Sequence, residues 1–182
     1  GLGIALPFLM FKRDDDPLAV YRRIRKPMPP PEKVVPDKRR ELEDYAANVP
    51  GEFFVDSSCI DCDACRIFAP SVFSDAADQS FVFHQPETDE ERLAAQKALL
   101  SCPTSSIGSN TSARAAIDAL PELVDGDVDR CGYTSESSFG AISYFAREPH
   151  VLIDSPRFNE PLAKRLGEVG RMLLTHQDDI AD

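Results

Sequence analysis

Four of the five cysteines in this 182-residue chain stand where they could hold an inorganic centre. Three occur in one tight run, Cys59-Ile-Asp-Cys62-Asp-Ala-Cys65; the fourth, Cys102, follows after 36 intervening residues and precedes Pro103. Steps of three put these thiols on no common helix face and no common strand face. They suit a loop wrapped around a compact cluster, with backbone N–H groups turned toward sulfur to offset its negative charge. A fourth thiolate before a proline completes a tetrahedral set of iron ligands. Zinc is the first competing reading, but zinc sites usually draw on two separated C-x2-C knuckles rather than one run of three. Disulfides are the second, and adjacent C-x2-C pairs in an acidic chain of this kind more often hold metal. Cys131 stands apart from the pattern and reads as a buried free thiol.

The elements that would position these thiols are legible nearby. Phe53-Phe54-Val55 reads as a strand running into Cys59, and Ser80 to His84 as a second strand. Thr88-Asp-Glu-Glu91 is a capping box, opening a helix through about Leu100 that carries Leu93 and Leu100 on one face and returns Cys102 to the first three cysteines. Asp61 and Asp63 flank Cys62 and read as solvated loop charges that make reduction of a cluster less favourable. His84 reads as a surface or structural residue.

Strand, cysteine loop, strand, helix and a Cys-Pro step resemble a single-cluster bacterial-type ferredoxin over roughly residues 51–108. The resemblance implies an α+β ferredoxin-like fold and one-electron transfer. It also implies one 4Fe-4S cluster with Cys59, Cys62, Cys65 and Cys102 as the iron ligands. Two-cluster ferredoxins carry a further cysteine before a proline three residues on; here Ala69-Pro70 keeps the proline and lacks the thiol, so one cluster is expected.

Residues 109–182 read as a helix over 112–119, then strand material at Gly132-Tyr133 and from Phe139 to Ala146. A strand Val151–Ile153, a helix from Pro161 to Val169 and a strand Met172–Leu174 follow as a parallel crossover. This order resembles the opening of a metallo-β-lactamase-like fold, in which an apolar strand ends in Asp (here Asp154) and a later one in Thr-His (here Thr175-His176). The run Gly132-Tyr-Thr-Ser-Glu-Ser-Ser-Phe-Gly140 behind a ferredoxin module is similar to a ferredoxin-fused family of cyanobacteria and plastids, which implies a chloroplast or plastid location, in the stroma or at the thylakoid. The hydrolase motif His-x-His-x-Asp-His is incomplete: His176 matches, Asp178 occupies the second His position and Asp179 comes one residue early. Hydrolysis by this chain is not expected, and the role of His176 reads as that of a strand-end polar residue. Serine catalysis finds no base and no G-x-S-x-G context at Ser137-Ser138.

Residues 1–50 form a Pro-rich, mildly basic head ahead of an acidic body. They read as an apolar arm (Gly1–Phe11), a basic helix from Asp16-Pro17 through Lys26, an extended connector over 27–36 and a short helix from Asp37 to Ala47. The net charge of −11 excludes broad phosphate-backbone binding, and no apolar run is long enough for a spanning helix. Expected partners are redox proteins with basic docking patches. Two alternatives stand beside the electron carrier: an accessory iron–sulfur subunit anchored through residues 1–36 in a larger, membrane-associated complex such as a photosynthetic one, and a truncated redox-linked hydrolase-like protein.

Overall fold

Phe53 and Val55 alternate with Phe54 along a strand, so two large side chains enter the core together and both are fully buried. In the computed structural model, which describes residues 47–178, 180 and 181, this strand is β1 (Phe53–Val55). It pairs antiparallel with β4 (Ile107–Ser109), with Phe54 opposite Gly108. The Phe54 ring lies over Gly108, where a Cβ would stand 2.1 Å from the tip of the ring and displace it. A second antiparallel pair joins β2 (Phe73–Asp75) to β3 (Ser80–Val82). The Asn48 amide links the two pairs: its oxygen accepts from the N–H of Val55 at 3.2 Å and of Val82 at 2.9 Å. The readings of the arm, the basic helix, the connector and the 37–47 helix lie outside the described residues, apart from Ala47, as do Asp179 and Asp182.

The expected long helix is α2 (Asp89–Ser101), and its capping box is complete: Thr88 accepts from the Glu91 N–H while the Glu91 carboxylate reaches back to the Thr88 N–H. Its inward face differs from expectation. Ala95, Ala98 and Ser101 are buried, whereas Leu93 and Leu100 are only partly so. Small side chains let α2 lie close against a helix the sequence reading missed, α1 (Ala64–Phe68).

Beyond β4 come α3 (Arg114–Asp118), β5 (Glu122–Asp125), β6 (Val128–Arg130), β7 (Tyr144–Ala146), β8 (Val151–Ile153), α4 (Glu160–Leu166) and β9 (Arg171–Leu173). The five strands form one sheet in sequential order, antiparallel except for the parallel β8–β9 pair, so the expected strand–helix–strand crossover is present. The expected strand at Gly132-Tyr133 and Phe139 is not. Tyr133, Phe139 and Gly140 have φ of 53°, 52° and 80°, and that left-handed backbone forms a loop rather than a pleat. Strand pairing begins only at Tyr144. The β5–β6 hairpin was not anticipated, although its turn pair, Gly126-Asp127 between Asp125 and Val128, is of a type that announces one.

The described residues make a mixed α and β fold around one continuous apolar core. Phe53, Phe73 and Val82 from the first half share it with Leu120, Phe145, Leu152 and Leu162 from the second. Polar ties cross the same boundary. Glu122 receives Lys97 of α2 at 2.5 Å and is paired with Arg130 of β6. Arg130 lies 4.3 Å above the Phe68 ring and donates to the Ile67 carbonyl.

Candidate iron–sulfur centre

The segment between β1 and α1 turns sharply because two aspartates adopt left-handed backbone, Asp61 at φ 54° and Asp63 at φ 66°. Asp is among the few residues that visit this region readily. These two residues stand on either side of Cys62, with Cys59 and Cys62 in loop and Cys65 as the second residue of α1. Thus the third thiol of the run sits on a helix, which the loop reading did not foresee. Nor are Asp61 and Asp63 simply solvated charges. Arg66, the residue after Cys65, donates to Asp61 at 2.7 Å, pairs with Asp63 and donates to the Ser80 hydroxyl at 3.0 Å. That single guanidinium braces the loop on both flanks of Cys62, and the aspartates reinforce its positive charge in return.

Cys102 arrives from the far side. It is the C-cap of α2, extended at φ −64° and ψ 120°, and Pro103 behind it prevents the helix from continuing. The last carbonyls of α2 are closed by the C-terminal half: Thr134 donates to the Ser101 carbonyl and Arg157 to that of Leu100.

Cys59, Cys62, Cys65 and Cys102 line one pocket, closed by Val55, Ile107 and other small and apolar neighbours. All four are free thiols, and Cys65 and Cys102 are buried. Backbone N–H groups face sulfur: that of Ser80 lies 3.5 Å from the Cys59 Sγ, and those of Ala64 and Cys62 are hydrogen-bonded to the Cys62 sulfur. Burial pushes the Cys65 thiol up to about 12, against the opposing help of Ser80, and the three other sulfurs add to the rise. Cys62 is raised for the same first reason. Thiols held together this way become thiolates when a polycation lies among them.

All four cysteines border one pocket. A cubane asks for four such donors, because each of its four irons takes one thiolate. The donor set, its inward N–H groups and its apolar walls fit a four-iron cluster.

The remaining residues singled out above lie elsewhere. Cys131 is fully buried in the core and does not line the pocket, its N–H bonded to the Ser143 carbonyl. His84 is partly buried beside Phe83. His176 and Asp178 approach each other at 3.4 Å on the exposed surface, and Asp154 is occupied by the Thr175 N–H and hydroxyl at 2.7 and 3.0 Å. Residues that the sequence reading passed over include Arg66, Ser80, Thr104 and Gly140. Only Arg66, adjacent to a cysteine and flanked by acids, carried a local signal.

No curated protein and no solved structure matches the chain. Residues 55–109 match the family model described as the 4Fe-4S single cluster domain of Ferredoxin I, and that part of the chain is a single-cluster 4Fe-4S ferredoxin domain.

Proposed function

We propose that this protein transfers single electrons, with Cys59, Cys62, Cys65 and Cys102 each holding one iron of a single cluster. The observation that carries the reading is the gathering of four unpaired thiols, from two ends of the domain, around one pocket. The cluster, when bound, supplies a one-electron couple; with four thiolates on four irons it leaves no iron open to a substrate. The chain's own residues do the rest. Val55 and Ile107 keep water from the sulfurs, Arg66 holds the loop, and the Ser80 and Ala64 N–H groups offset thiolate charge. The net charge of −11 favours encounter with donors or acceptors that present a basic patch.

The test is iron content and the electron paramagnetic resonance spectrum of the anaerobically reconstituted, reduced chain. About four irons and a signal of one reduced cubane are expected. Cys62→Ser or Cys102→Ser loses or rearranges that signal, and Cys131→Ala retains it. A folded chain that stays colourless and takes up no iron ends the reading.

A further inference from the structure

A continuous line of polar side chains runs from a buried carboxylate to the candidate centre. Asp56, only 5% exposed, accepts from the Ser58 hydroxyl at 2.5 Å and from the Ser58 N–H at 2.9 Å. The Ser58 Oγ lies 2.8 Å from the Ser106 Oγ, which lies 2.5 Å from the Thr104 Oγ1. Thr104 Oγ1 in turn lies 3.7 Å from the Cys102 Sγ. The two chain segments that supply this line are clamped by the Asp56 N–H, which donates to the Ser106 carbonyl at 2.9 Å.

Each hydroxyl has one proton to give and a carboxylate has none. Ser58 gives its proton to Asp56, so it can only accept from Ser106. Ser106 then accepts from Thr104. The Thr104 proton is committed inside the line, and its oxygen lone pairs face the Cys102 sulfur.

We infer that Asp56, acting through Ser58, Ser106 and Thr104, sets the reduction potential of the centre by withholding a hydrogen bond from Cys102 and turning the negative end of a hydroxyl dipole toward it. The inference rests on Cys102 being a cluster ligand. A hydrogen bond donated to a cluster sulfur favours the more negative, reduced state, and this arrangement does the reverse. Asp56, Ser58 and Ser106 are positioning residues, since they reach Cys102 only through Thr104.

The experiment compares midpoint potentials of the loaded protein. Thr104→Val removes the facing lone pairs and is expected to raise the potential, while Thr104→Ser keeps the hydroxyl and the native value. In an Asp56→Asn background the amide can donate to Ser58, which frees the line to run toward Cys102. There the rise caused by Thr104→Val shrinks or changes sign. A fall on Thr104→Val in the native background means that Thr104 donates to sulfur and overturns the inference, as does no change, or an equal rise in both backgrounds. A second readout needs no cluster. In the cluster-free chain the Cys102 thiol donates to Thr104, so its S–H infrared band, identified by its loss in Cys102→Ala, moves to higher frequency in Thr104→Val; an unmoved band counts against the line. A native chain that takes up no four-iron cluster fails the ligand reading alone, and the infrared band still decides the hydrogen bond.

Discussion

Gly140 is packed so closely on Cys62 that a Cβ at position 140 would stand 2.5 Å from the Cys62 Cβ and 2.9 Å from its sulfur. The C-terminal half of the chain therefore walls the cysteine loop directly, through the segment between β6 and β7. Its backbone is held in place by the Gly140 N–H, which donates to the Ser135 carbonyl at 2.9 Å. Gly140 is also at φ +80°, where an alanine is strained by about 1 kcal/mol before any clash is counted. Gly140→Ala is expected to push Cys62 aside and speed the loss of the cluster in air, followed by visible absorbance and iron content. Gly167→Ala is the control, with φ +67° and nothing within 4 Å of the added carbon. It feels strain without collision, so it should lower stability slightly and leave cluster lifetime unchanged. Equal lifetimes in the two variants would remove the wall from the account.

The end of α2 that presents Cys102 depends on two donors from the other half of the chain. Thr134 is fully buried, so Thr134→Val leaves the Ser101 carbonyl without its partner and is expected to cost about 2 kcal/mol. Arg157→Met keeps most of the side-chain packing and removes the bond to the Leu100 carbonyl, with a cost of about 1 kcal/mol. Urea unfolding of the cluster-free chain measures both. Fraying of this helix end should also release iron faster in the loaded protein, and more so in the double variant.

At the other end of α2 the capping box predicts an acid sensitivity. The N–H groups of Glu87 and Thr88 hold the Glu91 carboxyl below its ordinary value of about 4.5. A depressed folded pKa means that the stabilisation is present above the ordinary value and fades as pH falls through the folded one. Glu91→Gln should therefore show a flatter decline in stability below about pH 4.5 than the native chain. Thr88→Ala removes the reciprocal bond and should cost about 1 kcal/mol at neutral pH. Thermal unfolding across pH reads both.

Cys131 predicts the opposite limb. Burial pushes its thiol up to about 12; the Ser143 hydroxyl opposes the rise and Asp129 adds to it. An unfolded thiol ionises near 9.0, so the folded state keeps a proton that the unfolded state releases. The stabilisation is complete below that value and is lost as pH climbs toward the folded pKa. The cluster-free chain should thus unfold at progressively lower temperature above about pH 9, and Cys131→Ala should weaken that dependence. An identical alkaline slope in the variant would show that Cys131 does not carry it.

The cysteine spacing, the capping box, the alternation of Phe53 and Val55 and the crossover from β8 to β9 were all legible in order of residues. Each is a local pattern: three thiols in seven residues, a Thr three residues before a Glu, a period of two. The β5–β6 hairpin has a local signal as well, in the Gly126-Asp127 turn. The ferredoxin match ends at residue 109, so the likeness of the remainder to a hydrolase opening rests on the motif residues alone.

Which groups surround the four thiols was decided only by the folded chain. Gly140 on Cys62, Arg157 on the end of α2 and Ser58 beside Ser106 are meetings between segments distant along the chain, and nothing in the residues around each one specifies the other. Side-chain chemistry and short-range backbone preference determine what a segment can be. Burial of one shared core across both halves determines what it touches, because that is the arrangement in which Phe53, Leu120 and Leu152 all leave water together.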